Sequence, residues 1–212
     1  MCRLLAVKDS RPFEIPPVLA SFAEMARRSR EYQGDGWGCA WHDGAAWRLH
    51  RSVTPIWEDD LERFGETRLM LAHARSAFRN EGIRVENNMP FLDGRLAFVF
   101  NGELHGVRIR EKGRIGAEKL FNTIVRFTNG SVADGLARAA RVIRRRTAYV
   151  KAMNVLLSDG ERIYLHSFFS EQPEYFTMHV ARGNGHLVIC SEPLSLKTGW
   201  RPLPNDTLEA FG

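Results

Sequence analysis

The sequence predicts a layered α+β protein with two stacked, mainly antiparallel sheets. Three observations lead there. Short apolar runs crowd both ends of the chain. Turn pairs such as Asp43-Gly44 and Asp159-Gly160 join neighbouring runs as hairpins, which pair antiparallel. Two consecutive helical patterns, over residues 117–127 and 132–143, follow the middle strands and must cover one sheet face. With 212 residues, 44% hydrophobic and 26% charged, the composition is ordinary for a globular chain, and one domain over 1–212 is expected.

Each element has its own reason. Residues 3–7 (Arg-Leu-Leu-Ala-Val) read as a strand. Pro16 and Pro17 suit the opening of a helix, and Val18, Leu19, Phe22, Met25 and Ala26 follow on one face. The tight segment Gly34 to Gly38 ends that helix and leads into strands 39–42 and 46–50 around Asp43-Gly44. Residues 55–67 read as a short helical connection and 68–74 as a strand. The loop 76–94, with Asn80, Asn87, Asn88 and Pro90, is long, polar and aperiodic, a combination common in functional loops. A strand over 96–100 ends at Asn101-Gly102, and a basic loop precedes the two helices. Strands over 148–157, 162–168, 175–180 and 186–190 complete the sheets, with 202–211 as a short tail.

Several function classes are excluded at this level. No apolar run approaches bilayer length, and Lys8, Asp9 and Arg11 interrupt any signal-peptide core. Cys2, Cys39 and Cys190 are too few and scattered for a disulfide framework, so a cytoplasmic setting is expected. The net charge is +5, but acidic residues are interspersed and Arg144 to Arg146 end a helix, where cations suit the dipole. These runs read as solvated faces, not a nucleic-acid surface. The seven histidines have no metal-ligand spacing, and no Walker or dinucleotide fingerprint occurs, so neither metal nor cofactor is expected. Trp37, Trp41 and Trp47 read as one aromatic packing layer.

Cys2 carries the chemistry. Removal of the initiator Met leaves a residue with both a thiol and a free α-amine. Such an amine titrates near pH ~8 and serves as the base for its own nucleophile. Asn101-Gly102 has two readings, a hairpin turn or a pair of oxyanion donors from a side-chain amide and a backbone N–H. Arg75, at a strand end, suits a carboxylate clamp or a surface ion pair. His73, amid Leu71, Ala72 and Ala74, reads as a hydrogen-bonded core histidine.

Met1-Cys2-Arg3-Leu4-Leu5, Asp35-Gly36-Trp37-Gly38, His73-Ala74-Arg75, Asn88-Met89-Pro90-Phe91, Phe100-Asn101-Gly102-Glu103-Leu104, Asn154 to Gly160 and Cys190 to Leu194 occur in an order and spacing that is highly specific. In these the chain resembles the class II glutamine amidotransferase domain, an N-terminal-nucleophile hydrolase. The likeness is strongest to stand-alone members, which include ergothioneine-pathway γ-glutamyl hydrolases. The resemblance implies a four-layer αββα sandwich. It makes Cys2 the nucleophile, Arg75 the clamp for a substrate α-carboxylate, and Asn101 with Gly102 the oxyanion donors. Gly36, Trp37 and Gly38 are expected in the pocket wall, with Glu103 and Glu118 as substrate contacts. The implied reaction is hydrolysis of the γ-amide of glutamine or of a γ-glutamyl amide, without cofactor.

The alternatives are a glutaminase subunit serving a separate acceptor enzyme, and a weak or inactive regulatory protein on the same fold. No synthase domain follows in the chain, and self-association is left open. Two departures stand out. Gly116 replaces the aspartate that pairs with the substrate α-amine in relatives, and Met89 replaces a histidine. A substrate with a blocked α-amine, or replacement of the aspartate by Glu103 or Asp35, accounts for the first.

Overall fold

The computed structural model describes residues 1–212, the side chain of Asn80 excepted. The first sheet is built around β1 (Arg3–Glu14), which runs antiparallel between β4 (Glu66–Ala74) and β10 (His186–Cys190). β2 (Trp37–His42) and β3 (Trp47–Ser52) extend it beyond β4. β9 (His179–Gly183) and β11 (Arg201–Pro202) extend it beyond β10. The second sheet has the order β12 (Thr207–Phe211), β8 (Ile163–Ser167), β7 (Thr147–Ser158), β6 (Leu96–Val107), β5 (Phe91–Asp93).

Both faces of the first sheet are covered, and its sequence shows why. Successive strand side chains point to opposite faces. In β1, Leu4 and Ala6 join the large core shared with the second sheet, while Leu5 and Val7 join a separate core. β4 repeats this, with Leu69 and Leu71 on one side and Met70, Ala72 and Ala74 on the other. The separate core is closed by α1 (Ile15–Arg27) through Leu19, Phe22, Met25 and Ala26. On the outer face of the second sheet lie α2 (Gly116–Phe127) and α3 (Val132–Arg145), with Phe121 stacked on Phe98. The result is the αββα sandwich. Leu4 and Leu5 have no exposed surface, and each contributes roughly 1.5–3 kcal/mol by burial. Cys2, two residues before Leu4, is thus anchored at the sheet end.

The termini of the helices follow local rules. Pro16 and Pro17 occupy the first turn of α1, where their missing N–H costs nothing. The Ser131 side chain accepts from the Asp134 N–H and caps α3, which ends on Arg144 and Arg145. Among the described residues no helix is long and apolar enough to cross a membrane.

Four expectations are corrected. Asn101-Gly102 is no turn: β6 continues through it to Val107, paired with β7 as Asn101↔Asn154 and Gly102↔Met153. Residues 175–180 do not form one strand. Pro173 starts the short helix α4 (Pro173–Phe176), and β9 begins only at His179. The connection at 55–67 holds one 3-10 turn, Ile56–Glu58, before β4 begins at Glu66. The tail supplies β12, which pairs with β8. The three tryptophans also part company. Trp37 and Trp41 both pack edge-on against Phe64, whereas Trp47 belongs to the core between the sheets.

Candidate active site

The antiparallel register places the chain start opposite the end of β4. Arg3 pairs with Ala74 and Leu4 with His73, which brings Cys2 alongside Arg75 and Ser76. The Cys2 sulfur donates toward the Ser76 carbonyl at 3.6 Å. Cys2, His73, Arg75 and Ser76 line one wall of a cavity of about 1290 Å³. Phe100, Gly102, Glu103 and Leu104 of β6 line another, and Gly116 and Leu120 of α2 a third. Burial pushes the Cys2 thiol pKa up, while the neighbouring Met1 ammonium and Arg75 pull it down. The thiol therefore stays protonated near neutral pH and needs a base to become a nucleophile.

Arg75 is 7% exposed and held by neutral acceptors only. Its Nη1 donates to Asn88 Oδ1 at 3.0 Å, and its Nη2 to the carbonyls of Gly82 at 2.9 Å and Glu81 at 3.3 Å. Among the described residues no carboxylate lies within ion-pair distance of it, so the surface-salt-bridge reading fails. A buried guanidinium with five donors and no counter-ion has capacity for an incoming carboxylate.

Asn101 is 1% exposed, and neither its amide nitrogen nor its oxygen has a hydrogen-bond partner. A buried amide without partners costs roughly 1–3 kcal/mol, so its retention calls for an explanation. Asn101 itself does not line the cavity, whereas the next residue, Gly102, does. A Cβ there would stand 2.2 Å from the Ala152 carbonyl oxygen, so β7 tolerates only glycine at this register. A β-bulge after Glu103 then bends the strand.

The remaining expected residues are placed unevenly. Glu103 lines the cavity but is already paired with Lys151 at 3.3 Å and His105 at 2.8 Å. Glu118 is not on the cavity wall; it turns to Arg114, whose Nε donates to both its oxygens at 3.0 and 3.1 Å. Gly36, Trp37 and Gly38 do not line the cavity either. They stand behind it: the Gly36 carbonyl accepts from the Arg75 N–H at 2.9 Å, and the fully buried Trp37 indole donates to Asp59 at 2.8 Å. Asp35 accepts from the Ala77 N–H at 2.7 Å, a structural bond that shapes the loop after Arg75. His73 is buried in the core as expected, with the Phe100 backbone as its hydrogen-bonding neighbour, though the contact falls outside strict bond geometry. Desolvation holds its pKa to about 3. Among the described residues no three potential ligands cluster to hold a metal.

Sequence reasoning passed over Gln33 and Tyr175, which contact the Met1 carbonyl behind Cys2. The short spacing of Gln33 to the glycine segment was the only available signal; Tyr175 arrives from α4 and had none.

Two stacked sheets with a cysteine at the head of the central strand of one, facing a cavity shared with the other, define a cysteine-dependent N-terminal-nucleophile amidohydrolase. The sequence model of the family described as glutamine amidotransferases class-II matches residues 1–178, and the chain belongs to that family. Its chemistry is hydrolysis at a γ-glutamyl amide. The chain is 26% identical over 191 residues to the gamma-glutamyl-hercynylcysteine sulfoxide hydrolase of Mycobacterium tuberculosis, covering 87% of this chain and 78% of that protein. Its fold is similar to a glutamine aminotransferase class-II domain protein from Silicibacter pomeroyi (TM-score 0.67, 20% identity, 99% of this chain and 94% of that one). It is also similar to glutamine phosphoribosylpyrophosphate amidotransferase from B. subtilis (TM-score 0.63, 16% identity), covering 90% of this chain but only 42% of that one.

Proposed function

We propose that this chain, after loss of Met1, hydrolyses γ-glutamyl amides whose leaving amine is larger than ammonia. The observation that carries this is the convergence of Cys2, Arg75 and Gly102 on one cavity of about 1290 Å³. Pockets for drug-sized ligands run roughly 300–1,000 Å³, so a free glutamine would leave most of this space unfilled. The hydrolase relative is named for a γ-glutamyl compound with a large amine portion, which agrees with such a substrate.

In this reading each group has one role. Arg75 grips the substrate α-carboxylate and sets the γ-carbonyl beside the Cys2 sulfur. The Cys2 α-amine takes the thiol proton as sulfur attacks the γ-carbonyl carbon. Asn101 and the Gly102 N–H donate to the oxyanion. Collapse breaks the C–N bond, and the amine leaves with the proton from the α-ammonium. Water then adds to the γ-glutamyl thioester with the amine again as base, releasing glutamate and the thiol.

The test is glutamate release, read by mass spectrometry, from L-glutamine, bulkier γ-glutamyl amides and α-amine-blocked analogues, with Cys2→Ala as control. Release dependent on Cys2 and fastest for a bulky amide is expected. Equal release from Cys2→Ala, or none from protein verified to start at Cys2, would refute the assignment.

A further inference from the structure

A second set of buried groups lies behind Cys2, on the side of its backbone nitrogen. The Met1 carbonyl accepts from Gln33 Nε2 at 2.7 Å and from the Tyr175 hydroxyl. Gln33 has no exposed surface and Tyr175 is 3% exposed. The second hydrogen of Gln33 Nε2 points to the Glu31 carbonyl at 2.9 Å. Facing two carbonyl oxygens, the Gln33 amide has one workable orientation, because its reversal sets oxygen against oxygen. Tyr175 is equally fixed. The Arg3 guanidinium lies 3.9 Å from its ring centre and donates to its carbonyl at 3.3 Å. Burial pushes the Tyr175 pKa up to about 12, so its hydroxyl remains a donor at working pH.

In the unprocessed chain these two donors serve a residue whose removal the chemistry of Cys2 requires. We propose that Gln33 and Tyr175 are positioning residues for the Cys2 α-amine, and that the oxygen site they build holds, once Met1 is gone, one water hydrogen-bonded to that amine. Standard bond lengths put the carbonyl oxygen about 2.2 Å from the Cys2 nitrogen. A shift of under about 1 Å brings a water from that position to hydrogen-bond distance. The water accepts from both donors, which occupies both its lone pairs. Toward the amine it can then only donate. The free base accepts such a bond and the ammonium does not, so the site favours the neutral amine, the form able to take the thiol proton.

The charged and titratable groups around the amine come from every neighbouring element. Glu31, after α1, is bonded to the Met1 ammonium and is released with it; its charge favours a protonated amine. Arg75 of the β4 end and Arg3 of β1 favour the neutral form, Arg3 being paired with Glu192. His73 of β4 is neutral, and the Cys2 thiol itself is the remaining titrating neighbour. The two-donor water site therefore acts with the arginines and against Glu31.

This inference rests on the processing of Met1 proposed above, and the test separates the two. Intact mass first establishes whether the chain starts at Cys2. The 15N shift of the residue-2 amine is then titrated, in wild type carrying labelled cysteine and in Cys2→Ser carrying labelled serine, where no neighbouring thiol titrates. Tyr175→Phe and Gln33→Met are each expected to raise the amine midpoint by about half to one pH unit, the worth of one hydrogen bond. The acid limb of kcat/KM moves by the same amount. Tyr175→Phe keeps the ring under Arg3; should it nevertheless unfold, Gln33→Met carries the test. Retained Met1 overturns the Cys2 assignment itself. A chain starting at Cys2 whose midpoint does not move, with or without lost thermal stability, overturns this proposal alone.

Discussion

Replacing Asn101 by alanine should separate activity from stability in a way few buried polar substitutions do. Ordinarily such a change breaks hydrogen bonds, and a destabilised fold confuses the kinetics. Here the side chain is buried and neither polar atom has a partner. The free enzyme loses no hydrogen bond. It is relieved of an unpaired amide, worth roughly 1–3 kcal/mol. Against that stands the vacated volume, on the order of one water or about 30 Å³. At about 24 cal/mol per Å³ this void costs under roughly 1 kcal/mol. Stability should therefore stay within about 1 kcal/mol of wild type, or rise. The transition state, by contrast, loses an oxyanion donor, about 2.7–4 kcal/mol or 10²–10³ in rate. The assay is a stopped-flow acylation rate with a chromogenic γ-glutamyl anilide, set beside urea unfolding of the same samples. A rate loss matched by an equal stability loss, or an unchanged rate, would refute the oxyanion argument and leave Asn101 as unexplained core.

Two further outcomes can be stated. Gly116 lines the cavity at the first turn of α2, and a Cβ there meets nothing within 4 Å, so Gly116→Asp fits without strain. It should lower KM for substrates with a free α-amine by about 10–100-fold, leave α-amine-blocked analogues unaffected, and stabilise the helix start by about 0.3–1 kcal/mol; an unchanged KM for glutamine would show that position 116 does not face the amine. The second concerns pH. Burial holds the pKa of His73 to about 3 and of His166 to about 4, below the ordinary 6.5. Unfolded histidines gain protons below about 6.5 that the folded ones refuse, so stability is full above that pH and falls as pH drops toward 4. Urea unfolding from pH 7 to 4 should show this decline, with a shallower slope in His166→Leu; a flat wild-type profile over that window would sink the assignment of neutral buried histidines.

Much of the fold was legible because its signals were local. The apolar runs of β1 and β4 mark the sheet strands, and the proline pair marks the start of α1. The failures arose where a local signal met a tertiary one. Pro173 starts a helical turn that takes up Tyr175 and Phe176, the first residues of the expected strand. Glu118 is captured by Arg114 four residues before it, an i,i+4 pairing that the spacing itself permits. Trp37 reads as a pocket residue but is spent on Asp59, well behind the cavity.

Asn101-Gly102 is the most instructive case, because the turn reading was wrong for a physical reason that also bears on the site. An Asn-Gly pair makes a tight hairpin when both residues adopt positive φ and the strands on either side pair with each other. Neither condition holds here: the partner is β7, which runs alongside β6 past both residues. Gly102 is needed instead because the Ala152 carbonyl approaches too closely for any side chain. Strand alternation turns Asn101 to the face opposite Phe100 and Gly102, where it is buried rather than solvated. The same strand that denies the pair a turn therefore leaves a buried amide unpaired and a side-chain-free backbone on the cavity wall, facing the sheet that holds Cys2. A local code that usually bends the chain has been used here for its atoms, and only the long-range pairing reveals which use applies.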